Sequence, residues 1–285
     1  MEATSAADAA PPPAGAPGPI PLDARTRALE FQCRLEDELA TRVEPTDWGA
    51  AVFRDDLPRV ADLNLLRVSE PLGGMDAAAL MDEAENLQAG LPHRSIRVED
   101  EHAGEWLARD FAAGGWTVTR TALMVLRRMP DRPIDTTGVT EVDLDRLRPA
   151  RDAAIKRRHR DLDVAAQVLE AGVLPHPELG ATALCAEVGS EVAAYCLIRA
   201  SDTVAKLTEV SALERAHGRG VGLATVVAAG ANARRRARPG AMLVFVESEP
   251  DEWAKAIYRR LGFDERGAMY RFVRRWGDEG ALPLI

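Results

Sequence analysis

The dipeptide Glu105-Trp106 recurs as Glu252-Trp253, 147 residues further along the chain, and the same offset then runs on without a gap. It sets Phe111 against Tyr258, Gly115 against Gly262, Trp116 against Phe263, and Arg127-Arg128 against Arg274-Arg275. Upstream it sets Gly73 against Gly220 and the apolar run around Ile96 against Leu243. A register that holds through a glycine loop, a strand and a helix predicts two copies of one supersecondary unit. The competing account is that any helix followed by glycine, an aromatic residue and a strand would align in this way. The 285 residues exceed the usual single domain and leave room for two units of about 100 to 150 residues.

Periodicity and chain breakers divide the sequence further. Residues 1–24 are rich in alanine and proline and poor in large apolar side chains, so they cannot offset the entropy of ordering and read as a disordered arm. Leu29, Phe31, Leu35 and Leu39 fit an amphipathic helix over 23–41. Strand-forming runs at 50–54 and 63–68 follow, then a helix over 75–88, a strand at 95–99, a helix over 101–113 and a strand at 117–128. Met129-Pro130-Asp131-Arg132-Pro133 has the composition of a stiff linker. The first unit is therefore placed at 25–130, the connector at 131–135 and the second unit at 136–285.

The second unit opens with a strand at 139–142 and a polar helical region over 145–170. Runs at 183–188 and 192–199 flank Gly189-Ser190, a hairpin signal, and 203–213 supplies a third strand. A helix over 223–237, a strand at 242–247, a helix over 251–261 and a strand at 268–273 complete it. This mixed order predicts an α+β fold with helices packed on a sheet.

Composition narrows the function. Thirty-six basic against 45 acidic side chains give a net charge of -9, which repels a phosphate backbone, so nucleic acid is not an expected partner. Cys33, Cys185 and Cys196 are odd in number and lack metal-ligand spacing, which predicts neither a disulfide framework nor a metal site and fits a reducing cytoplasm. No run of eighteen apolar residues exists to cross a membrane, and the first residues lack a signal-peptide pattern. Lys156-Arg157-Arg158-His159-Arg160 and Arg234-Arg235-Arg236 read first as solvated helix faces. The first run leaves open an anionic acceptor.

The chemistry centres on 210–223, where an extended segment ends in His217-Gly218-Arg219-Gly220-Val221-Gly222 and a helix begins. Alternating glycines suit a tight loop whose backbone N–H groups converge on an anion, and the positive end of the helix dipole adds to the attraction. That is a pyrophosphate cradle. A P-loop would need Lys-Ser or Lys-Thr next, and the dinucleotide fingerprint would need glycine where Leu223 stands. Downstream lies Asp251-Glu252-Trp253-Ala254-Lys255-Ala256-Ile257-Tyr258-Arg259-Arg260-Leu261-Gly262-Phe263.

Together the two motifs resemble the GNAT superfamily of N-acetyltransferases over about residues 136–276. The family's loop normally begins with Arg or Gln where this chain has His217, a departure that spares the main-chain donors but removes a side-chain contact. The resemblance implies a GNAT-like mixed, mostly antiparallel sheet flanked by helices. It also implies an acyl-CoA-dependent N-acetyltransferase that moves an acetyl group from acetyl-CoA to a primary amine of a small molecule or peptide, with no metal. Carried over by position, Val210, Ser211 and Ala212 pair with the pantetheine, while His217, Gly218, Arg219, Gly220, Val221 and Gly222 surround the pyrophosphate. Tyr258 then protonates the departing thiolate, its phenol being protonated at neutral pH, and Glu209 is the candidate general base. Each has a plain reading too: Tyr258 as a packing residue, Glu209 as a solvated strand carboxylate, His217 as a tolerated substitution or a further base.

The first unit carries Phe111 where the second has Tyr258, and Pro71-Leu72-Gly73-Gly74 where the second has three glycines. The expectation is a tandem arrangement with a degenerate N-terminal half that walls the acceptor pocket. The alternative is a non-catalytic CoA-sensing or protein-interaction module.

Overall fold

The computed structural model describes residues 24–174, 179–216, 218–236, 242–249 and 252–275, so the 1–24 arm falls almost wholly outside the described residues. The first half runs α1 (Ala24–Leu39), β1 (Arg42–Thr46), β2 (Gly49–Phe53), β3 (Leu65–Val68), α2 (Ala77–Leu87), β4 (His93–Val98), α3 (Glu101–Ala113) and β5 (Thr117–Leu126). The second runs β6 (Val139–Val142), α4 (Leu144–Arg158), α5 (Leu162–Ala171), β7 (Gly180–Val188), β8 (Glu191–Ala200) and β9 (Val204–Ala212). After a 3-10 turn at Glu214–Ala216 come α6 (Val221–Arg236), β10 (Leu243–Ser248), α7 (Glu252–Arg260) and β11 (Phe263–Arg275).

All eleven strands form one sheet in the order β1-β2-β3-β4-β11-β5-β10-β9-β8-β7-β6. Only β3 with β4 and β9 with β10 pair in parallel, so the sheet is mixed and mostly antiparallel, as the α+β reading implied. The order has an approximate two-fold centre between β11 and β5. Around it β4 answers β10, β3 answers β9, and the two closing strands have traded places. Strand β5, made by the first half, lies against β10, while β11, made by the second, lies against β4. The segment 131–135 thus divides the chain between β5 and β6, whereas the sheet runs through both halves.

Alternation along β5 shows how the layers sit, because successive side chains leave a strand on opposite faces. Ala122, Met124 and Leu126 join the core beneath α6 and α7, while Leu123 and Val125 join the one beneath α1. Likewise Leu66, Val68, Ile96, Val98 and Phe272 pack under α2 and α3. Helices α2, α3, α6 and α7 therefore cover one face, and α1 and α4 cover the other. Helix α1 bridges the halves, since Ala28, Leu29 and Phe31 pack with Val204, Leu243 and Phe245 of the second half.

Two local readings need correction. Arg42–Thr46 was not foreseen as a strand because Pro45 breaks its pattern, yet β1 is an edge strand and a missing N–H is tolerated there. The polar helical region over 145–170 is two helices. Asp161 ends the continuity by accepting from the N–H groups of Asp163 and Val164, which starts α5 afresh.

Candidate functional site

Strands β9 and β10 pair only from Val204 with Leu243 to Leu207 with Val246. Beyond Leu207, β9 continues through Thr208, Glu209, Val210, Ser211 and Ala212 with no ladder on the β10 side, so it presents a free backbone edge. Its other edge is interrupted too, for pairing with β8 shifts between Tyr195 and Leu197. At this bulge Glu209 has φ of 48°, the one non-glycine residue with positive φ among the described residues. A side chain held there costs about 1–3 kcal/mol, so its surroundings must impose it.

The imposing group is Arg151 of α4, which is fully buried and grips Glu209 with two parallel bonds, Nε to Oε2 at 2.6 Å and Nη2 to Oε1 at 2.7 Å. Gly172 makes room for the pair, since a Cβ there would lie 1.8 Å from Arg151 Nη2 and 2.3 Å from Glu209 Oε1. Neither Arg151 nor Gly172 stood out in the sequence, because one guanidinium among many and one glycine after a helix carry no pattern.

In the loop after β9 the glycines have distinct local roles. Gly218 and Gly220 both have φ of 70° and face open space, so both the backbone turn and the absence of a side chain are used. Gly222 serves differently, because a Cβ there would meet Ala212 Cβ at 3.1 Å and push α6 off the strand. The helical ladder of α6 begins with Ala224 N–H donating to Gly220 O, which leaves the amides of Gly222 and Leu223 without helical acceptors among the described residues. Arg219 N–H is already bonded to Ala216 O, so its amide is not among the free donors. His217 lies outside the described residues.

A cavity of about 330 Å³ opens from the splay between β9 and β10 toward α1 and α4. Glu209, Val210, Ser211 and Tyr258 all line it, so the expected strand residues and the expected acid meet around one space. Tyr258 rises from α7 with its ring 5.6 Å from that of Phe263, and burial holds its phenol well above the usual range. The phenol is therefore protonated throughout the physiological range.

The first half supplies the opposite wall: Gln32, Leu35 and Glu36 from α1, Val60, Asp62 and Leu63 from the loop before β3. That loop is tied to α5 of the second half, since Arg59 N–H donates to Gln167 and its guanidinium pairs with Asp161 at 3.0 Å. Leu57, Val60 and Leu63 pack on Val168, Ala171 and Leu174 from the same side. Most charges on the wall are neutralised in place. Arg97 pairs with Glu36, Lys206 with Glu247 at 2.7 Å, and Arg271 with Asp62.

Two wall residues escaped the sequence reading. His159, inside the run taken as a solvated helix face, is only 3% exposed and lines the cavity. Glu249, just past β10, has its carboxyl pushed up to about 7, first by burial, with Asp62 and Glu247 adding to the rise and Arg271 and Arg158 opposing it. The Glu-x-Glu at 247–249 was its only trace in the sequence. Among the described residues there is no cluster of potential metal ligands.

No protein-family model matches the chain, and no curated protein matches it. Solved structures do. A GCN5-related N-acetyltransferase from Kribbella flavida is similar at 20% identity and a TM-score of 0.58, covering 90% of this chain and 96% of that one. A tandem GNAT protein from the clavulanic acid biosynthesis pathway is similar at 15% identity and a TM-score of 0.51, covering 88% and 96%. The fold is that of a tandem GNAT protein. A conserved protein of unknown function from Staphylococcus epidermidis is similar in structure as well, at 15% identity and a TM-score of 0.62, over 83% of this chain and 94% of that one. No helix among the described residues is long and apolar enough to cross a membrane.

Proposed function

We propose that the protein is an acyl-CoA-dependent N-acetyltransferase, taking acetyl-CoA as donor and a primary amine as acceptor, with a single donor site in the half that follows 131–135. The observation that carries this reading is the free edge of β9 from Thr208 to Ala212, which joins the glycine loop at one end to Tyr258 and the cavity at the other. The residues present fit the donor. Gly218 and Gly220 leave open space where side chains would obstruct an anion, and the unpaired amides at the start of α6 face the same loop. Val210, Ser211 and Ala212 offer the strand edge to the amides of the pantetheine, and the proposed pyrophosphate contacts extend to Arg219 and, by sequence position alone, His217. The bound thioester supplies the acyl group; this chain positions, desolvates and moves protons.

Tyr258 donates a hydrogen bond to the sulfur as it departs. Its raised pKa keeps the hydroxyl in place as a donor while making full release of its proton harder, so stabilising the developing thiolate comes first. Glu209, expected as the base, has both oxygens engaged by Arg151, and the proposed role is to hold the bent segment of β9 in position. A protein that binds CoA without turnover remains the alternative, and Tyr258 in the cavity favours the enzyme.

Calorimetric titration of the full-length protein with acetyl-CoA, followed by thiol release in the presence of an amine panel, tests the proposal. Saturable binding with amine-dependent thiol release is expected. Binding without release under any amine would turn the reading to the non-catalytic module, and no binding would remove the donor site.

A further inference from the structure

Two polar groups on the cavity wall have hydrogen-bonding capacity that the fold leaves unused. His159, at the end of α4, is 97% buried and its Nε2 has no hydrogen-bond partner. Glu249 presents a carboxyl to the same cavity, and among the described residues no hydrogen bond or ion pair to that carboxyl is recorded. Other acidic side chains on this wall are engaged: Glu36 by Arg97, Asp62 by Arg271, Glu247 by Lys206 and Glu209 by Arg151. An unpaired buried polar atom such as His159 Nε2 costs about 1–3 kcal/mol, and with the half-buried, unengaged Glu249 carboxyl on the same cavity it marks where a ligand's donors belong.

Asp62 from the loop before β3 and Arg158 from α4 act on both groups; Arg275 of β11 and Asp161 ahead of α5 act on His159, and Arg271 of β11 and Glu247 of β10 act on Glu249. Burial, then Arg275 and Arg158, lower the His159 pKa against Asp62 and Asp161, so the ring is neutral near pH 7. A neutral imidazole protonated on Nδ1 accepts at Nε2. Glu249, at about 7, is poised to hold or give up a proton. A carboxylate and a neutral imidazole acceptor on the wall of one cavity match a group with several donors and no acceptor. That group is an ammonium. An anionic acceptor, left open by the basic run 156–160, is disfavoured by the same carboxylate.

Building on the transferase reading, we propose that Glu249 and His159 form the subsite that binds the acceptor's ammonium, selecting a small unsubstituted primary amine, and that Glu249 takes the proton the amine must lose. The cavity of about 330 Å³, walled by both halves, lies at the lower end of the roughly 300–1,000 Å³ typical of small-molecule pockets. In the reaction R–NH3+ passes one proton to a Glu249 carboxylate oxygen, and the freed lone pair forms the C–N bond as the C–S bond breaks. The nitrogen's second proton neutralises the thiolate by way of Tyr258 and solvent, and Glu249 returns its proton to water.

The test uses full-length protein with n-butylamine, 1,4-diaminobutane and 2-phenylethylamine as probes, and 2-phenylethanol and N,N-dimethyl-2-phenylethylamine as controls. In the absence of donor, at least one primary amine is expected to shift the His159 ring resonances, assigned with His159→Gln, in a saturable manner. Affinity should fall at least tenfold in Glu249→Gln, and the controls should not compete. With acetyl-CoA, kcat/KM should rise with pH through about 7. Glu249→Gln should lose that limb together with roughly 100-fold of rate, and Glu249→Asp should restore part of both. The proposal falls if none of the probes reaches His159, or if Glu249→Gln binds and turns over as the wild type does. Acetyl-CoA calorimetry beside it separates the two readings: amine binding at His159 without donor binding would sink the transferase and keep the subsite.

Discussion

The two halves differ most where they should be most alike, at their parallel strand pair. In the first half β3 is laddered to β4 to its end, Val68 opposite Val98, and Glu99 N–H closes the gap by donating to Val68 O at 3.0 Å. In the second, the ladder stops at Leu207 and β9 runs on for five residues without a partner on the β10 side. Register shows the origin. Leu66 lies 30 residues before its partner Ile96, whereas Val204 lies 39 before Leu243, so the second half has nine more residues between these positions. The same contrast recurs in the following helix, where Phe111 is fully buried and stacks on Phe272 at 4.1 Å while Tyr258 borders an open cavity. One copy spends its central seam on cohesion and the other leaves it open.

The severest way to break this comparison is to remove the cohesive copy. A fragment of residues 136–285 lacks β5 and so leaves β10 unpaired on one side, and it lacks α1, which covers Phe245. We expect it to lose both cooperative melting and acetyl-CoA binding; a folded fragment that binds acetyl-CoA like the full chain would show the halves to be independent. A milder cut exchanges charge at the paired glycine loops. Gly220→Asp should weaken acetyl-CoA at least about 100-fold, because a carboxylate facing the pyrophosphate replaces attraction by repulsion at low effective dielectric. Gly73→Asp, equally open in space, should leave affinity unchanged, and calorimetry on both decides. The finest cut swaps the paired aromatics. Tyr258→Phe should lower kcat about tenfold or more with donor affinity nearly intact, and an equal loss of affinity would mark a packing role. Phe111→Tyr should lower stability by about 1–3 kcal/mol by burying a hydroxyl and leave turnover alone.

Which features were legible in the sequence follows from how local their causes are. The repeat register, the positive-φ glycines 218 and 220, and the Tyr258 helix could be read because loop, strand and helix signals sit within a few residues of each other. The strand exchange could not, since nothing in β5 or β11 states which neighbour it takes. Arg151, His159 and Glu249 were missed for a related reason. Each is an ordinary polar residue in its own segment, and its meaning arises only from partners brought over from another element, as Asp62 and Arg271 are brought to Glu249. Glu209 was found by position, but its hold by Arg151, 58 residues away, was invisible.

The traded strands also set an order of events during synthesis. Ile96 finds its partner Phe272 across 176 residues of chain, so β4 keeps a bare hydrogen-bonding edge until β11 has been made. Such distant pairing is slow because loop closure must come first, and a waiting edge invites pairing with other chains. The second half, although built later, thus supplies the strand that lets the first half finish, and assembly of the sheet becomes a single late step rather than two successive ones.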